Sequence, residues 1–187
     1  MEKIRAFIAA PISEETRGHL NKIIKEIKRK TSDWRWVTLE NLHITLKFLG
    51  YCNNDQILDV QRTISKCIES IEPFSYELGN LGAFSNERNA RVLWAGIKDE
   101  GKNFIKIYKL LERNLAKRGF EKERRSYSPH ITIARSKKRQ NIGNFLSELD
   151  LEKFGNLPLQ LNDRITLYKS VLSPRGASYY IIKEFIF

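Results

Sequence analysis

The sequence predicts an α+β fold of two similar lobes, with antiparallel sheets and helices on their outer faces. Three observations lead to this prediction. Along the 187 residues, apolar positions switch between strand and helix periodicity in the order β-α-β-α, and the order occurs twice. The tripeptide His-Ile-Thr occurs at 43–45 and again at 130–132, each time within a β-branched, apolar run. The two histidines are 87 positions apart, and the same offset relates other elements of the two halves.

The first half begins with a buried strand over residues 4–10, which ends at Pro11. Ser13 is expected to cap the next helix, because acidic residues fill the first turn, where the helix dipole favours anions. Leu20, Ile23, Ile24 and Ile27 give that helix an amphipathic stripe. The half continues with an edge strand over 34–37, the first His-Ile-Thr strand, a helix capped by Asn53 or Asn54, a strand over 74–78 and a loop over 79–82.

The second half repeats this order. It predicts a strand over 91–97, a helix over 102–117 ending at Gly119, the second His-Ile-Thr strand and a helix over 141–149. An offset of 87 moves Phe7 onto Trp94 and Asn54 onto Asn141.

We therefore expect one bilobal domain over 1–187, with an approximate repeat of 1–80 and 88–157, a pseudo-twofold axis and a groove between the lobes. Strands over 158–171 and 178–187, with turn residues at 174–176, finish the chain.

Composition restricts the classes of function. A hydrophobic share of 41% is enough for a proper core, and a net charge of +11 predicts attraction to RNA, DNA, phosphorylated metabolites or anionic lipid. The only two cysteines, Cys52 and Cys67, indicate neither a disulfide framework nor a cysteine zinc site. No apolar run is typical of a signal peptide or a membrane span, so we expect a cytoplasmic protein without a membrane partner.

The paired tripeptides carry the functional hypothesis. Residues i and i+2 of a strand share a face, so each tripeptide presents an imidazole beside a hydroxyl while its neighbours face the core. A hydroxyl residue follows a histidine at this offset by chance roughly one time in eight. Two matched cases among three histidines therefore favour function, whereas His19, in a helical pattern, is interpreted as a solvated helix residue.

Two imidazoles on facing walls of a groove suit in-line displacement at phosphorus. One can act as general base and the other as general acid near neutral pH. Thr45 and Thr132 would donate hydrogen bonds to the non-bridging oxygens and orient the phosphate. The sequence has no His-Glu-x-x-His, paired Cys-x-x-Cys or Walker motif, so we predict no metal, no cofactor and no nucleoside-triphosphate chemistry.

These motifs resemble a known family. His43-Ile44-Thr45-Leu46 and His130-Ile131-Thr132-Ile133 are similar to the signature of the 2H phosphoesterase superfamily. The flanking segments at 4–9, 41–50, 128–135 and 167–170 resemble its RNA 2',3'-cyclic phosphodiesterase branch, also called 2'-5' RNA ligase.

The resemblance implies metal-free hydrolysis of an RNA 2',3'-cyclic phosphate to a 2'-phosphomonoester. It makes His43 the proton donor to the 3'-oxygen and His130 the proton acceptor from water. Reversed roles would give 2'-5' RNA ligation. The implied partner is RNA with a 2',3'-cyclic phosphate end, tRNA fragments among the candidates. The alternatives are a phosphodiesterase for a small cyclic nucleotide or ADP-ribose cyclic phosphate, and a non-catalytic RNA-binding domain.

Further substrate-binding residues are predicted around the motifs. Strand alternation puts Lys47 on the face of His43 and Thr45, where it would supplement the phosphate site. Alternation turns Arg135 away from Thr132, whereas the resemblance puts Arg135 on the substrate side.

Two aromatic residues, Trp36 and Tyr127, are the candidates for stacking on a base. By contrast, alternation assigns Phe48, and a buried-type strand assigns Trp94, to the core.

Two basic clusters are expected to border the groove and attract an RNA backbone: Lys122, Arg124 and Arg125, and Lys137, Lys138 and Arg139.

Overall fold

The computed structural model describes residues 3–147, 159–174 and 176–187. Within these ranges it contains four α-helices: α1 Glu14–Lys30, α2 Asn54–Ile68, α3 Asn103–Ala116 and α4 Gly143–Ser147. The strands of the same ranges are β1 Ile4–Pro11, β2 Arg35–Trp36, β3 His43–Cys52, β4 Phe74–Phe84, β5 Ala90–Lys98, β6 His130–Gln140, β7 Gln160–Asn162, β8 Arg164–Ser173 and β9 Gly176–Ile186.

Helices α1 and α2 begin where their capping residues predict. The Ser13 side chain accepts a hydrogen bond from the Thr16 N–H at the start of α1. Asn53, not Asn54, caps α2, and it forms a reciprocal capping box with Gln56 that satisfies two free backbone donors. The predicted helix over 141–149 is α4, and residues 148–149 lie outside the described part of the chain.

The strand predictions were less accurate. Strand β4 continues through 79–82, where a loop was predicted, with a register shift against β5 between Leu78 and Leu81. Gly82 serves close packing and not a turn. A Cβ atom on Gly82 would overlap the Trp94 ring, so only glycine lets the tryptophan lie across this strand. The predicted strand over 158–171 is divided into β7 and β8 within its described part.

One sheet joins the two lobes. Its strand order is β7-β4-β5-β6-β3-β1-β8-β9, with β2 added to β6. The central strands β3 and β6 are antiparallel and pair at Ile44 and Ile131, two positions related by the 87-residue offset. This pairing marks the pseudo-twofold axis of the α+β fold. Each lobe then places one further strand, β1 or β5, on the outer side of its histidine strand.

The core lies on the face of the sheet opposite the histidines. Ile44 and Ile131 are fully buried there, in a hydrophobic cluster that includes the predicted stripe of α1. His43 and Thr45 flank Ile44 on the other, less buried face. The alternation around each motif therefore is as predicted.

A β-bulge interrupts that alternation in both histidine strands. In β3, Thr45 and Lys47 pair with successive residues of β1, so Leu46 has no partner. In β6, Thr132 and Ala134 pair with successive residues of β5, so Ile133 is the extra residue. The extra residue of a bulge reverses the side on which later side chains project. The bulges lie at equivalent positions of the two lobes, 87 residues apart.

The predicted orientation of Lys47 was wrong. This residue was expected on the histidine face, but the bulge at Leu46 turns it inward, and it is 5% exposed. Its ammonium contacts Glu112 at 2.5 Å and donates a hydrogen bond to the Glu121 carbonyl at 2.9 Å. The other Glu112 oxygen accepts from the Glu123 N–H at 3.1 Å. The Lys47 ammonium is therefore engaged in a buried ion pair that attaches the segment before β6 to β3 and α3.

We expect the single substitutions Lys47→Met and Glu112→Leu each to lower the free energy of unfolding by about 3–5 kcal/mol, because each leaves a buried charge without its partner. The double variant should recover most of this loss, since two apolar side chains replace both charges. Urea unfolding of the four proteins measures the cycle. Losses below about 1 kcal/mol in both single variants would contradict a buried, coupled pair.

Candidate active site

Both histidines are held by the same backbone contact. The Nδ1 atom of His43 lies 2.7 Å from the Asn41 carbonyl oxygen, and that of His130 lies 2.7 Å from the Ser128 carbonyl oxygen. Because a carbonyl only accepts, Nδ1 carries the proton in both rings and donates it. Each Nε2 is then left to accept or donate a proton in the site.

A threonine hydroxyl lies beside the Nε2 atom of His43. The Thr45 hydroxyl is 3.0 Å from the His43 Nε2 and donates to it while the imidazole is neutral. Because β3 and β6 run antiparallel through the Ile44–Ile131 pair, His43 lies across from Thr132 and Thr45 lies across from His130. The four predicted side chains are thus brought together on one face of the sheet.

A cavity of about 640 Å³ opens at this face. It is lined by Thr45, His130, Thr132 and Arg135, by the ion pair of Lys47 and Glu112, and by the segment 121–128 that precedes β6. His43 does not line it, but its Nε2 atom contacts the Thr45 hydroxyl, which does. The volume is large enough for a nucleotide-sized ligand.

Aromatic rings surround both imidazoles. Phe7 lies 5.0 Å from the His43 ring, and Tyr179 contacts its edge at 5.3 Å. Phe84 stands edge-on to His130 at 5.0 Å, with Trp94 at 6.2 Å. Trp94 was expected in the core, but it is only partly buried. It lies beside His130 in the way that Phe7 lies beside His43 in the other lobe. Sequence analysis did not single out Phe84 or Tyr179, which reach the site from strands without a motif.

This environment lowers the pKa of both histidines. Burial lowers the pKa of His43 to about 4, against the opposing effect of the Asn41 hydrogen bond. The positive charge of Arg135 lowers this pKa further, and a proton on His130 would do the same. Burial and the nearby Arg135 also lower the pKa of His130. Both rings are therefore neutral at pH 7 in the free protein. A bound anion would raise these pKa values, because a nearby negative charge favours imidazolium.

Arg135 lies on the histidine face. Simple alternation predicted the opposite, and that prediction was wrong because the extra residue Ile133 reverses the side of β6 on which the later side chains project. Arg135 is exposed, lines the cavity and lowers the pKa of both histidines electrostatically. The placement that the resemblance implied is therefore the one observed.

Phe48 reaches the same face by the equivalent bulge. It was assigned to the core, yet its side chain is 58% exposed and lines the cavity. Phe48 and Arg135 are 87 positions apart, so they are equivalent residues of the two lobes. That offset, applied to Arg135, is the sequence signal that could have identified Phe48.

The predicted stacking residues have different surroundings. Tyr127 lines the cavity, but its ring already stacks on Tyr108 at 4.2 Å, and its hydroxyl donates to the Thr45 carbonyl at 3.0 Å. Burial raises the pKa of the Tyr127 phenol. Tyr127 therefore supports the strand that carries Thr45.

Trp36 lies on the opposite side of the sheet. It pairs with buried Ala134, packs against the core and has the Lys28 ammonium 5.4 Å above its ring. The prediction that Trp36 stacks on a base is wrong, because it took no account of the face that β2 adopts beside β6.

The basic clusters lie along two neighbouring cavities. Lys122, Arg124 and Arg125 are exposed and line the cavity of His130. Lys137 and Lys138 line a second cavity that shares Arg135 with the first, and Arg139 lines neither.

The described ranges contain no group of three or more His, Cys, Asp or Glu placed to hold a metal ion. No helix in those same ranges is long and apolar enough to cross a membrane.

Comparison with known proteins identifies the family. The family model for LigT-like phosphoesterases matches twice, at residues 10–94 and 96–179, so that each match contains one His-Ile-Thr motif. An RNA 2',3'-cyclic phosphodiesterase of Methanocaldococcus jannaschii is 34% identical over 184 residues, covering 97% of this chain and 99% of that protein. One from Methanothermobacter thermautotrophicus is 30% identical over 186 residues, covering 98% of each.

Solved structures have the same fold. The protein TT0787 of Thermus thermophilus superposes with a TM-score of 0.78 at 24% identity, over 97% of each chain. E. coli LigT complexed with 3'-AMP gives a TM-score of 0.74 at 21% identity, over 99% of this chain and 98% of that one. With the family model covering nearly the whole sequence, the chain belongs to the LigT-like phosphoesterase family.

Proposed function

We propose that this protein hydrolyses RNA 2',3'-cyclic phosphates to 2'-phosphomonoesters, with His43 and His130 as the acid–base pair. The observation that carries the proposal is the matched anchoring of the two imidazoles, each with Nδ1 bound to a carbonyl at 2.7 Å and Nε2 available in the site. The names of the relatives that span the chain, RNA 2',3'-cyclic phosphodiesterase, support this substrate class.

The reaction requires one proton donor and one proton acceptor. The cyclic phosphate is an anion, so its binding raises the low pKa of a neighbouring histidine and allows His43 to become protonated. His130 then takes a proton from the attacking water as the new P–O bond forms. The P–O3' bond breaks on the opposite side, and His43 gives its proton to the 3'-oxygen. The direction of these roles follows the family pattern, and the reverse sequence would give 2'-5' ligation.

The threonines and Arg135 stabilise the phosphate. In the free site the Thr45 hydroxyl donates to His43. Once His43 is protonated its Nε2 no longer accepts, so the hydroxyl proton can turn to a non-bridging oxygen. The Thr132 hydroxyl, which lies across from His43, donates to a second non-bridging oxygen. The Arg135 guanidinium offsets the charge that grows on the equatorial oxygens.

Phe48 provides a surface for the terminal base. Phe48 follows His43 and Thr45 along β3, and its exposed ring lines the cavity on the same face of the sheet. Stacking on an aromatic ring accepts every base and therefore suits hydrolysis without strict sequence preference.

We expect His43→Ala and His130→Ala each to reduce kcat by about 10²- to 10⁴-fold on an oligoribonucleotide ending in a 2',3'-cyclic phosphate, assayed with EDTA. His19→Ala, in the third histidine of the chain, is the matched control and should keep wild-type activity. Circular dichroism checks the fold of each variant, and enzymatic treatment of the product distinguishes a 2'- from a 3'-phosphate. Wild-type rates in both site variants would eliminate the mechanism.

We expect His43 to titrate near pH 4 in the free protein and at a higher pH with 2'-AMP bound. Histidine has a pKa of about 6.5 in the unfolded chain, which therefore binds more protons than the folded chain between pH 6.5 and 4. The contribution of His43 to folding stability is thus complete above pH 6.5 and is lost as the pH falls through this window. NMR titration of the imidazole nitrogens, with and without 2'-AMP, measures both pKa values. A pKa of about 6.5 for His43 in the free protein would show that burial does not lower the pKa of this imidazole.

Phe48→Ala should raise KM about 5- to 100-fold, because a stacked base contributes about 1–3 kcal/mol. Phe48→Tyr should restore binding. Tyr51→Ala removes another exposed aromatic ring of β3, one that does not line the cavity, and should leave KM unchanged. Steady-state kinetics on a nucleoside 2',3'-cyclic phosphate measure KM for each variant. An unaltered KM in Phe48→Ala would rule out stacking of the base on Phe48.

A further inference from the structure

A second groove meets the catalytic cavity at Arg135. Its volume is about 610 Å³, and among the described residues Arg135 alone lines both cavities. Its lining consists of Asp33, Trp34, Arg35, Arg135, Ser136, Lys137 and Lys138. Four of these residues are cations and one is an acid, so the groove is strongly positive even before the net charge of the chain is considered.

Two of the cations are placed directly opposite each other. Arg35 of β2 pairs with Arg135 of β6, and opposite residues of an antiparallel pair project from the same face. Like charges at such positions destabilise a sheet. Within the described residues, no carboxylate lies within 4.0 Å of Arg35, Arg135, Lys137 or Lys138. No carboxylate of the described residues therefore neutralises these four cations at close range. A bound external anion would relieve the repulsion between Arg35 and Arg135.

We propose that this groove binds the phosphodiester backbone of the RNA strand on the 5' side of the cyclic phosphate. The inference rests on the proposed function, since it extends the same substrate from the catalytic cavity. Arg135 contacts the reacting phosphate in that proposal, and the groove begins at Arg135. The next phosphates of the strand would lie along Arg35, Lys137 and Lys138.

The character of the lining fits a backbone and not a base. All four cations are exposed, so they can follow a flexible, repeating series of phosphates. The aromatic residue of the groove, Trp34, is 9% exposed and belongs to the core, so it offers no free ring for stacking. Charge without stacking gives contacts that are independent of sequence. The two cavities therefore bind different parts of the substrate. The terminal base lies on Phe48 in the catalytic cavity, and the preceding backbone lies in the second groove.

The test compares long and short substrates in the triple variant Arg35→Gln/Lys137→Gln/Lys138→Gln, which leaves the catalytic cavity untouched. For a ten-nucleotide RNA with a 2',3'-cyclic phosphate, kcat/KM should fall at least about tenfold at low salt. The slope of log kcat/KM against log salt should shrink by about 2, since each phosphate contact to a single strand contributes about 0.7. For a nucleoside 2',3'-cyclic phosphate, kcat/KM should stay within about twofold of wild type, because such a substrate has no preceding phosphate.

The matched control makes the same change in net charge elsewhere. Lys25, Lys66 and Lys109 are exposed cations of α1, α2 and α3, and none of them lines either cavity. Their triple replacement by glutamine should leave the long substrate much closer to wild type than the groove variant does. An equal loss in both triple variants would assign the effect to net charge and overturn the groove.

Two other outcomes would also overturn the proposal. An equal loss on the long and short substrates would mean that these residues serve the catalytic cavity. An unchanged salt slope would mean that the groove contacts no phosphate.

A binding measurement separates this inference from the function on which it rests. Fluorescence anisotropy with a labelled ten-nucleotide RNA ending in a 2'-phosphate requires no turnover. If the wild-type protein cleaves neither cyclic substrate, the proposed function fails. The groove is then judged by whether the triple variant binds this RNA more weakly and with a smaller salt slope than the control.

Discussion

The pairing of Ile44 with Ile131 is the contact on which the site depends. It joins two lobes that otherwise have separate strand partners, and it lies on the pseudo-twofold axis between two histidine strands. Both isoleucines are fully buried. The residues that flank them must then project from the opposite face, where each imidazole lies across from the threonine of the other lobe. A shift of one residue at this pair would move all four side chains into the core, so burial of two apolar residues fixes the register of the site.

The features of the fold and of the site that the sequence predicted correctly are those that depend on local periodicity. Helix caps such as Asn53, the stripe of α1 and the two His-Ile-Thr faces all follow from spacing within a few residues. The 87-residue offset was also sound, because the lobes repeat whole elements. Long-range pairing was not predictable in the same way. That β2 lies beside β6, and so turns Trp36 toward the core, depends on a contact between residues about one hundred positions apart.

The β-bulges account for the errors nearest the chemistry. Strict alternation placed the Lys47 side chain beside the histidines and kept Phe48 and Arg135 away from them. One extra residue in each strand instead brings Phe48 and Arg135 to the histidine face. Lys47 lies at the wall of the cavity, where its ammonium is buried against Glu112. Neither Leu46 nor Ile133 is a glycine or another residue that marks a bulge, so the local sequence carries no signal. The errors are nonetheless related: once Arg135 is known to face the site, the offset of 87 predicts the same for Phe48 and the opposite for Lys47. An internal repeat therefore supplies information that single-strand periodicity lacks.

Positive charge and apolar surroundings act together on the histidines. Aromatic rings remove water from both imidazoles, and Arg135 adds a charge that disfavours a second cation beside it. In the free protein this arrangement disfavours protonation of His43, the acid of the proposed mechanism. A bound anion reverses both effects, by compensating Arg135 and by stabilising imidazolium. In the proposed mechanism the site therefore acquires its reactive protonation state on binding a phosphate, and a neutral ligand of the same shape would leave both histidines unprotonated.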